Sequence, residues 1–297
     1  MTKKRVRRIK VIINPAAGQP EPVLGVLNEA FAPTGIEWDV AITHGSGDAE
    51  TAAREAVADG YDFVGAYGGD GTIAEVASGL AEGKVPFLLL PGGTGNVLAA
   101  ELGIPADLAS AAALLAGEHE IRRVDLGRSG GKWFVVRLTM GLEVAVVDAA
   151  TPDLKSRFGW LAYAYAGFAA LSTAPVATYT ITVDGETFEA DGLALIVANS
   201  ASTGVAGTRL VDGVDVSDGR LDVVVLQGAD LSSMLGSAAD AAQGLPPRAF
   251  ARWSGKEIRV DATPEQTVVS DGEEAGVTPI EVCVVAGALR VVVPKGA

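Results

Sequence analysis

Apolar residues in the first 125 positions follow two alternating periods. Short runs rich in β-branched and aliphatic residues read as strands: Arg8 to Ile13, Glu37 to Thr43, Tyr61 to Tyr67 and Val85 to Leu90. Between them, apolar positions recur at helical spacing over Val23 to Phe31, Ala49 to Ala58 and Ile73 to Ala81, with Asp48 placed to cap the second helix. Such alternation predicts a mostly parallel sheet with helices on both faces. The uninterrupted run Val85 to Leu90 suits a strand covered on both sides.

The pattern changes near Asp125. Beyond it come short β-branched runs: Trp133 to Leu138, Tyr179 to Val183, Leu193 to Ala198, Leu221 to Leu226, Glu257 to Val260 and Thr267 to Ser270. Asp184-Gly185, Asp218-Gly219 and Asp271-Gly272 are turn signals among them, and helices are expected near 156–172 and 230–242. The expected fold class is therefore α/β plus β. A parallel-sheet α/β domain spans 1–125 and a mainly antiparallel β domain spans 126–280. The last apolar run, Ala288 to Val293, has no obvious partner, which leaves residues from about 281 to 297 free to return to the first domain.

Charge and cysteine content narrow the class of function. The net charge of −14 argues against nucleic acid, which is bound through a basic face. The local cluster Lys3, Lys4, Arg5, Arg7, Arg8 and Lys10 is either a solubilising flank on the first strand or positive charge that could meet an anionic membrane. A single cysteine, Cys283, forms no internal disulfide and fits a reducing compartment. With His44 and His119 as the only histidines, no typical zinc site can be built. No secretory signal is visible. The stretch Phe158 to Val176 carries no charge and approaches the length of a membrane span, but its Ala, Gly and Tyr content suits a buried or amphipathic helix. Helical spacing puts Leu161, Tyr165, Phe168 and Leu171 near one face, just after Lys155 and Arg157. That face either docks on a bilayer or packs into the β domain.

Two glycine-rich segments follow buried strands: Tyr67-Gly68-Gly69-Asp70-Gly71-Thr72 and Gly92-Gly93-Thr94-Gly95-Asn96. At the carboxyl edge of a parallel sheet, such loops bring main-chain N–H groups and helix N-termini to a phosphate. A tight-turn reading explains one such cluster but explains two at equivalent positions poorly. Gly69-Asp70-Gly71-Thr72-Ile73-Ala74 also fits a dinucleotide fingerprint, but the next strand ends Leu89-Leu90-Pro91, without the acidic residue that holds the ribose. No P-loop signature occurs.

Four ordered motifs resemble the diacylglycerol kinase catalytic-domain family, in its bacterial lipid kinase form. They are Asn14-Pro15-Ala16-Ala17-Gly18, Gly68-Gly69-Asp70-Gly71-Thr72 followed by Glu75, Gly93-Thr94-Gly95-Asn96, and Ser270-Asp271-Gly272-Glu273, with Asn199 to Leu221 similar to the family's β-domain segment. The resemblance implies ATP bound in a cleft between two domains, lined by Asn14, Thr43, Gly69, Gly71, Thr72, Gly93, Thr94 and Asn96. It implies Asp271 as general base, with Asp70 and Glu273 beside it in catalysis. Asp70, Asp125 and Glu273 would hold a catalytic Mg2+. Asp218, with main-chain oxygens of Asp215 and Arg220, matches a second, structural metal position.

The chemistry of phosphoryl transfer, which needs a placed nucleotide and a carboxylate for the alcohol proton, agrees with this set. The implied reaction is phosphorylation of a membrane lipid hydroxyl, with diacylglycerol as the default acceptor. The implied location is cytoplasmic, in peripheral contact with the inner face of the membrane, and a homodimer is compatible with it. A sphingoid base or glycerophospholipid head group as acceptor, or a nucleotide-binding regulator without turnover, are the alternatives. One departure stands out: Val97 follows Gly-Thr-Gly-Asn where the family often has Asp, so an acidic member of the metal network is missing.

Overall fold

The four apolar runs of the first half become β1 (Arg8–Ile13), β2 (Glu37–Ile42), β3 (Phe63–Gly68) and β4 (Phe87–Pro91), paired in parallel in the order β2-β1-β3-β4. Helices α1 (Val23–Phe31), α2 (Asp48–Ala58) and α3 (Asp70–Leu80) make the crossovers. Every position of β3 and β4 is buried, whereas β2, at the sheet edge, is exposed or half-buried throughout. This computed structural model describes residues 7–17, 21–141, 176–202, 213–227 and 250–296. Two helices escaped the sequence pattern, α4 (Val97–Glu101) and α5 (Leu108–Ala116). The first is a single turn, and the second is too rich in alanine and leucine to show a polar face. Asp107 caps α5 by accepting the Ser110 N–H at 2.8 Å.

The second half begins with β5 (His119–Ser129), which turns back as β6 (Lys132–Phe134). A six-stranded antiparallel sheet follows, in the order β12-β11-β10-β7-β14-β15. Its strands are β7 (Arg137–Gly141), β10 (Ala194–Ala198), β11 (Leu221–Leu226), β12 (Phe250–Gly255), β14 (Thr267–Ser270) and β15 (Glu273–Val277). The remaining strands β8 (Ala177–Val183), β9 (Glu186–Gly192) and β13 (Glu257–Thr263) join the parallel strands through the long final strand β16 (Ile280–Pro294).

The last apolar run, which had no evident partner, is thus part of the spine of a ten-stranded sheet. The start of β16 pairs antiparallel with β13, as Cys283 with Glu257, and its end pairs parallel with β4, as Val291 with Phe87. Along both parts it pairs with β5, with a register shift between Val285 and Leu289. Leu289 and Val291 to Val293 pack into the core beneath the parallel strands, and Val282 packs into the core of the antiparallel half. Almost all of the stretch Phe158 to Val176, and both helices expected near 156–172 and 230–242, lie outside the described residues. Among the described residues, no helix is long and apolar enough to cross a membrane.

The two halves meet at a buried polar joint. Asn199 is fully buried, and its Nδ2 donates to the main-chain oxygens of Asp125 and Val135, both at 2.8 Å. Asp125 is also buried. Its Oδ2 accepts the Gly219 N–H and its Oδ1 the Gly287 N–H, each at 2.6 Å. Buried main-chain groups must find such partners, and an orphaned one costs about 1–3 kcal/mol. Asn199→Ala leaves two carbonyls without their donor and is expected to lower unfolding free energy by about 2–3 kcal/mol in urea titration. A loss under about 0.5 kcal/mol, the ordinary range for a surface substitution, would show that the amide carries no load.

Candidate functional site

Helix α3 starts at Asp70, three residues ahead of the Ile73 expected from periodicity, so Asp70, Gly71 and Thr72 form its first turn. Its acidic residues serve the neighbouring helices. Asp70 Oδ1 accepts the Val97 N–H at 2.7 Å, at the start of α4. Glu75 accepts the N–H groups of Gly47 at 2.9 Å and Ala49 at 3.1 Å and the Ser46 hydroxyl at 3.3 Å, at the start of α2. Asp48, expected to cap α2, instead folds back onto the preceding loop. It takes the N–H groups of His44 at 2.8 Å and Gly45 at 2.9 Å, and these bonds hold its carboxyl below the usual range. The N-cap of α3 itself is Gly69, which supplies no side-chain bond. The positive end of this helix dipole and its first-turn N–H groups therefore remain available to an anion.

The glycine loops also pack on each other. Gly93 lies so close to Gly69 that a Cβ on it would come within 2.6 Å of the Gly69 Cα, so the two loops need glycine to pack on each other. Gly71 is different: a Cβ there would meet nothing within 4 Å, and the residue lines an open cleft. Asn96 takes up a left-handed conformation at φ 48°, accepts the Gly93 N–H at 3.1 Å and donates to its carbonyl at 2.7 Å, closing the second loop. Asn14 Nδ2 donates to Thr72 Oγ1 at 3.0 Å and its Oδ1 accepts the Ala16 N–H at 3.0 Å. Thr43 is buried, its N–H on the Ile13 carbonyl at 3.0 Å, while Thr94 is exposed. The expected nucleotide residues therefore gather at the carboxyl ends of β1 to β4, where open α/β sheets bind ligands.

Across the cleft stands the β14–β15 hairpin. Asp271 and Gly272 form its turn, both at positive φ, 47° and 93°. Asp271 Oδ2 accepts the Val135 N–H at 2.6 Å, and Oδ1 accepts those of Val136 and Arg137, both at 2.9 Å. Burial pushes the Asp271 carboxyl up, and the three N–H donors with the Arg137 guanidinium only partly oppose it, so the net shift is upward. Asp271, the exposed Glu273, Gly71 and Glu75 all line one cleft of about 760 Å³. Glu75 is the site residue whose role sequence reasoning left open. Its place one turn after Gly71 was visible, but its bonds to α2 were not.

The expected metal ligands are not brought together in this way. Among the described residues, no group of three or more His, Cys, Asp or Glu side chains could hold an ion. Both Asp125 oxygens take main-chain N–H groups, and Asp70 has one oxygen on the Val97 N–H. Near the second position, Asp215 Oδ1 accepts the Ser217 N–H at 2.9 Å and pairs with Arg122 at 3.3 Å. Asp218 Oδ1 accepts the Arg220 N–H at 2.9 Å. Val97 is buried apolar core, and its N–H is the group that engages Asp70.

Residues 8–129 match the family described as "Diacylglycerol kinase catalytic domain", and residues 137–293 match "YegS C-terminal NAD kinase beta sandwich-like domain". The chain is 35% identical to a "Probable lipid kinase YegS-like" of Pseudomonas aeruginosa, over 88% of this chain and 86% of that one. It is 28% identical to the diacylglycerol kinase of Bacillus subtilis, over 98% and 97%. Among solved structures, a diacylglycerol kinase from Bacillus anthracis superposes with a TM-score of 0.82 at 25% identity, covering 99% of both chains.

Two substitutions test the site. Gly71→Val adds bulk only to open space, so thermal stability is expected to change little. Affinity for a non-hydrolysable ATP analogue, measured by calorimetry, should fall at least about tenfold, or about 1.4 kcal/mol. Unchanged affinity would remove this turn from the nucleotide site. Val97→Asp would bury a carboxylate beside Asp70, with an expected stability loss of roughly 3 kcal/mol in urea titration. Retained stability with a lower magnesium requirement would instead make position 97 part of an ion's surroundings.

Proposed function

Because the chain belongs to the diacylglycerol kinase catalytic-domain family and is a lipid kinase of it, we propose that it transfers the γ-phosphoryl group of ATP to the hydroxyl of a membrane lipid, with diacylglycerol the acceptor and phosphatidic acid the product. The observation that carries this reading is the single cleft shared by Gly71, at the uncapped start of α3, and Asp271, on the opposite hairpin. The triphosphate rests on the first turn of α3. The lipid hydroxyl enters between it and the hairpin, and the enzyme works at the membrane surface because that acceptor is insoluble in water.

Asp271 is the general base. Its Oδ1 already takes two N–H donors and its Oδ2 one, which leaves Oδ2 the lone pair for the alcohol proton. The alcohol oxygen forms its bond to the γ-phosphorus as that proton moves to Oδ2, and the bond to ADP breaks. An upward-shifted carboxyl is the better proton acceptor near neutral pH. Magnesium would arrive with the nucleotide, held by phosphate oxygens and water, as this ion prefers.

ADP release measured with and without diacylglycerol in mixed micelles tests the reaction; release that ignores the lipid would refute it. Asp271→Asn is expected to cost about 10²–10⁴ in rate while nucleotide affinity is kept. The wild-type rate should fall as pH drops through an apparent pKa above the ordinary 3.8 of aspartate, and this limb should vanish in Asp271→Asn. Linkage runs the opposite way for stability. The raised pKa makes this group's contribution greatest below 3.8, and it is lost as pH climbs through the folded-state value.

A further inference from the structure

Tyr67, the fifth residue of β3, touches the β1–α1 connection at two points and the second glycine loop at a third. Its main-chain oxygen accepts the Asn14 N–H at 3.0 Å. Its ring lies against the second glycine loop, so that a Cβ on Gly92 would come within 2.9 Å of it. Its Oη donates to Glu21 Oε1 at 2.6 Å. Asn14 and Glu21 lie at either end of the β1–α1 connection, and Asn14 is bonded in turn to Thr72 at the start of α3. The ring is buried, and burial first, then Glu21, push the phenol up to about 12, so it stays a donor through neutral pH.

Glu21 itself is exposed, so water could take its place on the phenol at small cost to the fold. The bond therefore fixes position more than it adds stability. Building on the kinase reading, we propose that Tyr67, through Glu21, is a positioning residue that sets the distance between the β1–α1 connection and the two glycine loops. In this way it sets the geometry in which the triphosphate is held. The motif residues make the cradle, and this pair tunes its width.

The test compares Tyr67→Phe, Glu21→Ala, the double variant and Glu21→Gln, which keeps an acceptor oxygen. Losing one hydrogen bond should raise the ATP KM about three- to tenfold in the first two. Values of kcat, lipid KM and melting temperature should stay close to wild type. The double variant should be no worse than either single one, and Glu21→Gln should behave as wild type. Additive losses in the double variant, or a fall in kcat together with melting temperature, would reduce the pair to a structural contact and overturn the proposal. Unchanged ATP KM would also overturn it. If the wild type turns over no nucleotide, the kinase reading fails by itself. Calorimetric affinity for ATP, measured on the same four variants, then decides the proposal by the same pattern.

Discussion

The Asp125 carboxylate and the Asn199 amide NH2 have to be satisfied out of reach of water, and the joint between the halves is arranged around that constraint. Asp125 draws in Gly219 from the loop before β11 and Gly287 from the irregular middle of β16. Asn199 draws in the Val135 carbonyl from the segment between β6 and β7. The other side of that segment offers its N–H groups to Asp271. A line of polar contacts, fully buried only at Asn199, thus runs from the joint between the halves to the proposed base. A carboxylate committed to main-chain donors is held firmly, and such preorganisation is what a proton acceptor needs.

On the parallel-sheet side of the cleft the same economy appears in α3. Asp70 and Glu75 each complete the start of another helix, and neither caps α3. The beginnings of α2 and α4 are thereby tied to that of α3, which itself stays uncapped. Glu101 extends the connection to the antiparallel half, since its Oε2 accepts the Ser200 hydroxyl and the Ser202 N–H, both at 3.0 Å. The end of α4, which follows the second glycine loop, is fastened to the segment that contains Asn199. A shift of the antiparallel half would therefore pull directly on α4 and the second glycine loop before it.

Asp271 shows how competing terms settle a side chain's chemistry. Three N–H donors alone would make it a strong acid. Enclosure by the hairpin and the β6–β7 segment removes water and outweighs them, so the group is shifted toward neutral pH. The turn that places it needs positive φ at two consecutive residues, which Asp-Gly accepts well. The local sequence thus dictates the turn, and the surrounding main chain dictates the acidity.

The sequence by itself determined the parallel strands, their helices, the two glycine loops and the Asp-Gly hairpin, because each follows from local periodicity or from a backbone conformation few residues tolerate. It also carried the family resemblance, since ordered motifs survive as residue types. It did not reveal that Gly93 is needed for packing on Gly69, that Asp48 turns back to its own loop, or that Glu75 completes α2. Nor did it show that both Asp125 oxygens face main-chain donors, or that Ala288 to Val293 joins two halves into one sheet. Each of these depends on which main-chain groups from distant segments arrive at one place. Main-chain groups are the same for nearly every residue type, so no sequence pattern marks where they will be left unpaired. Only the folded chain decides that.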